Sequence, residues 1–219
     1  MNIYWYVSKA KLDLLTEQAP GFLTGIKANI GFKLGLLSGS LEGTEPARTA
    51  EDLQRVIKKL QSQYEIKDFS QLEDGESPVV VSFDGNAVRQ INNNVFWLGM
   101  ESGSRGLLLA GSPASAIGSP VKSEDGFSPS ADPVSAIRSV FSGDGDAAGF
   151  GGTRMPLSSS LSYAWRTLME DADSGTLPRA KGLALFARAV KADRTQLRSI
   201  RKGNITELIV GSPIYVEQA

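Results

Sequence analysis

Apolar and polar positions follow two different rhythms along this chain, and their succession predicts the elements. Ile3 to Val7 is aromatic and β-branched throughout and reads as a strand. Ser8 then stands where a helix N-cap belongs, ahead of Leu12, Leu15 and Ala19 at helical spacing, and Pro20-Gly21 ends that helix. Ile30 to Leu37 reads as a second strand, closed by Ser38-Gly39-Ser40. Thr49 and Asp52 have the spacing of a capping box. Leu53, Val56, Ile57, Leu60 and Tyr64 form one apolar stripe beyond it, which predicts a helix with Arg55, Lys58, Lys59 and Gln63 on its wet face.

From Pro78 the rhythm changes to short alternating runs. The run from Val79 to Phe83 and that from Asn86 to Ile91 flank Asp84-Gly85, a two-residue hairpin signal. Asn92-Asn93-Asn94 turns into a run from Val95 to Glu101, and Ser102-Gly103-Ser104-Arg105-Gly106 turns into Leu107 to Ala110, so four antiparallel strands are expected. Beyond Ile117 the chain is loop-rich, and residues 119–157 read as an insertion containing one helix opened by Asp132-Pro133. Leu161, Ala164, Trp165 and Leu168 mark a further helix. The stretch from Leu183 to Ala192 fits either a helix or a strand pairing with Ile205 to Val210, with a lean to strand. Hairpins mixed with at least one crossover define an α+β class: a mixed, largely antiparallel sheet with a central β-meander and helices packed on one face, in a single domain over 1–219.

Twice an aliphatic run stops on the same tripeptide, at Gly111-Ser112-Pro113 and at Gly211-Ser212-Pro213. Gly permits tight turns, Ser bonds local backbone and Pro cannot continue a ladder, so each copy punctuates a strand. If the two strands lie side by side, Ser112 and Ser212 open on one edge. Gly111, Gly211 and Arg105 would then help form a nest for a small anionic ligand.

Composition narrows the chemistry. The chain contains no His and no Cys, which removes the commonest bases, nucleophiles and transition-metal ligands together. Neither a metal nor a cofactor is expected. No apolar window reaches the length of a membrane span and the start lacks a basic leader, so a cytoplasmic protein with no membrane contact is expected. Net charge is −1, yet eight Lys and Arg between Arg179 and Lys202 face one acid, Asp193. Such a block suits an acidic partner, and Arg188, Arg194, Arg198 and Arg201 are its candidate contacts for a protein or for nucleic acid. Phe186 is its sole aromatic, too few for a base-stacking platform.

Three motifs invite catalytic or ligand readings. Ser8-Lys9-Ala10-Lys11 matches S-x-x-K, in which a desolvated lysine acts as base for serine, although the accompanying K-T-G and S-x-N elements are absent. Gly149-Phe150-Gly151-Gly152-Thr153-Arg154 lacks the G-K-[ST] of a phosphate loop. Asp144-Gly145-Asp146 opens like a calcium loop but places Met155 where the bidentate Glu belongs.

The opening Tyr4-Trp5-Tyr6-Val7-Ser8-Lys9-Ala10-Lys11, the middle Leu109 to Pro113 and the ending Gly211-Ser212-Pro213-Ile214-Tyr215-Val216 resemble an uncharacterised bacterial family of α+β domains associated with biological-conflict, anti-phage systems. Its motifs are Y-x-Y-V-S-x-x-K and G-S-P-x-Y-V. The resemblance implies a sensor, adaptor or regulatory partner and supplies no catalytic residue. The expectation is therefore a non-catalytic domain that binds a small anionic ligand or a protein encoded nearby. A Ser-Lys hydrolase using Ser8 and Lys11, and a nucleic-acid binder using 179–202, are the alternatives.

Overall fold

The computed structural model describes residues 3–8, 11–12, 15, 45–92, 95–117, 156–170, 177–197 and 204–219. In chain order these form β1 (Ile3–Val7), α1 (Glu45–Gln63), β2 (Lys67–Asp68), β3 (Val80–Asn92), β4 (Val95–Ser102) and β5 (Arg105–Gly111). They continue with α2 (Leu157–Glu170), β6 (Arg179–Lys191), α3 (Arg194–Leu197) and β7 (Glu207–Gln218), and 3-10 turns cover Phe69–Gln71 and Pro113–Ser115. The predicted strand over Ile30 to Leu37, the turn Ser38-Gly39-Ser40, the 119–157 insertion and the Asp144 and Gly149 motifs lie outside the described residues, apart from Pro156 and Leu157.

Two strands, β3 and β7, are long enough to meet different partners along their length, and both pair with β6, which closes the sheet. β3 pairs with β6 through its first half and with β4 through its second, both antiparallel. β7 is covered by β6 along almost all of it, while its other neighbours are β5, in parallel, and then β1, antiparallel. The ring β3-β4-β5-β7-β6 is thus a small, mixed and largely antiparallel barrel. Alternating residues Val81, Phe83, Phe96, Leu98, Met100, Leu107, Leu109, Ile209 and Val216 fill it, as expected for a barrel too narrow to hold a channel. Tyr6 joins this core at the Gly111 end of β5, and Phe69 joins it from the turn that Arg105 contacts at the other end.

Helices cover the outside in two places. α2 lays Leu161, Ala164, Trp165 and Leu168 over Trp97, Leu108 and Leu208. α1 lays Leu53, Ile57 and Leu60 over Val80, Leu183 and Ile214, together with Leu12 and Leu15. At about 1.5–3 kcal/mol for each large apolar side chain buried, these two seams anchor the helices without help from their polar faces.

The sequence expectations need three amendments. Asp84-Gly85 is no hairpin: the chain runs straight through it as one strand, with Asp84 and Gly85 paired to Lys181 and Ala180. A turn dipeptide is a local preference, and here the ladder to β6 overrides it. Helix α1 begins at Glu45, so Thr49 and Asp52 are inside it rather than at its start. The helices do keep to one face of the sheet, but closure makes that face a cylinder and separates them to two of its sides. The lean of 183–192 to strand is correct: β6 pairs with β7 from Val190↔Leu208 to Phe186↔Gly211 and beyond. The Ser102–Arg105 hairpin also forms where expected, with Gly103 supplying the positive φ its turn requires.

A lysine centre where the Gly-Ser-Pro turns meet

Parallel pairing of β5 with β7 brings the two repeats together. Leu109 faces Gly211 in the ladder. Only the first repeat ends its strand, passing from Gly111 into the 3-10 turn. The second does not punctuate a strand as expected, because β7 runs on through it with Ser212 and Pro213 paired to Leu185 and Ala184 of β6, whose ladder overrides the local turn preference. Ser212 Oγ donates to the carbonyl of Ala110 at 2.8 Å, tying the second repeat to the strand that carries the first. Ser112 caps the following 3-10 turn by accepting from the Ala114 N–H at 3.3 Å. A Cβ on Gly111 would stand 2.6 Å from Tyr6 Oη and 3.0 Å from Pro213 Cγ, so the meeting depends on both glycines lacking side chains. On Gly211 the added carbon would press into the backbone carbonyl of Leu185.

The N-terminal segment supplies the cation. Ser8 N donates to Ile214 O at 2.8 Å, and its carbonyl accepts from Leu12 N at 3.1 Å, which starts the helical turn containing Lys11, Leu12 and Leu15. Leu12 and Leu15 bury themselves with α1, and Lys11 reaches into the seam between the repeats. Its Nζ donates to Ser212 Oγ and, at 2.8 Å, to Pro213 O, and lies 5.6 Å from the centroid of the Tyr6 ring. Lys11 is 4% exposed and Ser212 3%. Among the described residues no carboxylate pairs with this ammonium. Burial lowers its pKa from 10.5 to about 7.

Tyr6 closes the centre. Its ring packs on Phe96 with centroids 4.8 Å apart, and burial pushes its phenol up to about 12 against hydrogen bonds from the Ser115 hydroxyl, the Ser112 backbone N–H and the Ser8 hydroxyl. The serine and lysine groups singled out in the sequence are therefore gathered into one place: Ser8, Lys11, Gly111, Ser112, Gly211 and Ser212. The partnership differs from the S-x-x-K reading, because the hydroxyl on Lys11 belongs to Ser212, while Ser8 serves the helix start and the phenol. Tyr6 and Ser115, the other polar members, carry no sequence signal of this role, since Tyr6 sits in an aromatic run that reads equally well as core.

Arg105 does not join them. It stands at the far end of β5, with Nε donating to Glu207 Oε2 at 2.7 Å and Nη1 to Ser70 O at 2.8 Å. Of the basic block, Arg188 and Arg194 are exposed on β6 and α3, and Arg198 and Arg201 lie outside the described residues. Nor is a free nest of N–H groups left at the turns, because Ser112 N–H is directed at Tyr6 and Ser212 lies in the ladder opposite Leu185. No group of three or more acidic side chains with metal-ligand geometry occurs among the described residues, and none of their helices is long and apolar enough to cross a membrane.

The fold and this centre define a small closed barrel whose N-terminal segment is latched by a buried lysine. The chain belongs to a family of unknown function, DUF7019, whose model matches residues 2–219. No curated protein and no solved structure matches it.

Proposed function

We propose that the chain is a non-catalytic sensor or adaptor domain that works by binding a protein partner, within a bacterial defence or signalling system. The observation that carries this reading is the sealed state of the lysine centre. Lys11, Ser212 and Ser8 are each no more than 5% exposed; the Lys11 amine and Ser212 hydroxyl are bonded to each other and to backbone, and the Ser8 hydroxyl to the Tyr6 phenol. A reacting serine needs a site about 3 Å away for the substrate atom and donors for the developing oxyanion. Here Ala110 O and Pro213 O take up those directions, and both are acceptors. The defence setting rests on the resemblance of the terminal motifs alone. A free anion is the weaker ligand class, since the turn N–H groups are committed.

The runner-up is a Ser-Lys hydrolase, favoured by one specific feature: an amine of lowered pKa bonded to a serine hydroxyl. In that case Ser212, and not Ser8, is the nucleophile. A serine-reactive fluorophosphonate separates the two readings. The binding reading expects no stoichiometric adduct after prolonged incubation, and an adduct mapped to Ser212 and lost in Ser212→Ala overturns it.

A further inference from the structure

Among the described residues, the last part of β6 has no second neighbour. Phe186 N donates to Val79 O at 3.1 Å, and this is the final link between β6 and β3. Residues 187–191 continue as strand as far as Lys191↔Glu207, held among the described residues by β7 alone. Ala192 N donates to Thr206 O at 2.9 Å, and backbone groups alternate between the two edges of a strand, so the N–H and C=O of Ala189 and Lys191 are directed away from β7. No described residue bonds them.

The side chains around this edge have one sign. Val190 packs inward onto the cluster beneath α2, leaving Arg188, two residues earlier, exposed on that face. Lys191 is exposed on the opposite face, Arg194 stands just beyond, and none of the three forms an ion pair among the described residues. The nearby acids are already engaged. Glu207 accepts from Arg105, and Asp193 accepts from Ser159 Oγ at 2.5 Å and from Thr195 N and Oγ1 at the start of α3. Ala187 and Ala189 add no bulk that would keep another chain away. Val79, adjacent to the edge, is 54% exposed and offers an apolar contact.

We infer that residues 187–191 are a docking edge for an extended acidic segment of a partner protein, which joins the barrel as an added strand between Arg188 and Lys191. The inference rests on the partner-binding reading and gives it a place and a chemistry. Main-chain pairing supplies the affinity, and carboxylates meeting a cation on each face supply the selection. Nucleic acid suits the edge less well, because a phosphate backbone could accept from the free N–H groups but would leave the outward carbonyls unpaired, and Phe186 is packed against the barrel core instead of being open for stacking.

The test uses the intact protein and a short fluorescent peptide alternating valine and aspartate, with an alternating valine and lysine peptide as control. Expected are saturable binding of the acidic peptide alone and slowed amide exchange at Ala189 and Lys191 in the complex. Ala189→Pro removes an N–H that faces the partner and none that faces β7, so the fold survives while affinity falls about tenfold or more. Arg188→Glu with Lys191→Glu should lose binding to a similar extent and serves as the second variant if the proline disturbs β6. Absence of peptide binding, or binding unaffected by both variants, overturns the edge. So does a preference for a DNA oligonucleotide at ~50 mM salt that is abolished by the charge reversals and unmoved by Ala189→Pro. Phosphonate labelling at Ser212 would remove the non-catalytic reading without touching these results, so the two failures are distinguishable.

Discussion

Lys11 makes the stability of this protein depend on pH in an interval where most proteins with histidine have other titrations to contend with. The chain has neither His nor Cys, so no other side chain of ordinary pKa changes charge between pH 6 and 9. The unfolded lysine holds its proton up to 10.5, whereas burial makes the folded one release it near 7. Between these values the unfolded state binds more protons, so folding stability must rise with pH. Each pKa unit corresponds to about 1.4 kcal/mol, so the whole span is worth about 5 kcal/mol, and the part between pH 6 and 9 about 2–3 kcal/mol. Below pH 7 the cost of a buried ammonium is fully present; above 10.5 it is gone. Tyr6 and Tyr215, both raised to about 12 by burial, act in the opposite sense, and their contribution is lost only as pH climbs from 10 through 12, outside the interval. Urea unfolding at pH 6, 7, 8 and 9 should therefore show the midpoint climbing in the natural protein. Lys11→Met keeps the apolar stem and should flatten the profile to within about 0.5 kcal/mol. A flat profile in the natural protein, or an equal slope in the variant, would refute the argument that this lysine is a desolvated cation with no counter-ion among the described residues.

Ser212→Ala removes the acceptor nearest the Lys11 amine and the donor to Ala110 O together, so it should cost about 2–3 kcal/mol in denaturant unfolding, against about 1 kcal/mol for Ser8→Ala. Gly211→Ala should be more damaging than Gly111→Ala, because the first carbon meets the Leu185 backbone and the second a tyrosine side chain that can shift; melting temperatures of the two variants rank them. Chelation with EDTA should leave the melting temperature unchanged, since the chain has no thiolate or imidazole ligand to offer.

What could be read in advance, and what could not, follows from the range over which each determinant acts. The strands β1, β4 and β5 and the helices α1 and α2 announce themselves because period and side-chain type are local properties. Strand β3 was split at Asp84-Gly85 because the hairpin preference of that dipeptide is equally local, and nothing within ten residues reveals that β6, a hundred positions later, will pair across it. Closure was hidden for the same reason. An open sheet and a barrel have identical alternation along each strand, and they differ only in whether β3 and β7 share β6.

The site depended on a cue of a different kind. Two copies of Gly-Ser-Pro one hundred residues apart, each after an aliphatic run, carry no information about distance unless the runs are neighbours, and parallel pairing of β5 with β7 makes them so. The same geometry explains why S-x-x-K named the right lysine and the wrong hydroxyl. Residues 8 and 11 are close along a helical turn, but Ser8 is the residue at which that turn starts, fixed by its own N–H to Ile214 and its carbonyl to Leu12, whereas the Lys11 amine reaches across the seam to Ser212 and Pro213 O. The buried Lys11 amine thus adds a titratable contact to the β1–β7 ladder that already holds this N-terminal segment against the last described strand. A ligand or partner that displaces that segment would let the amine regain its proton in water. Its binding would then take up a proton at pH 8, where the folded lysine is neutral and the solvated one charged, and tighten as pH falls from 10 toward 7. A pH-independent affinity across that interval would mean that the latch stays shut when the partner binds, as docking at the β6 edge allows.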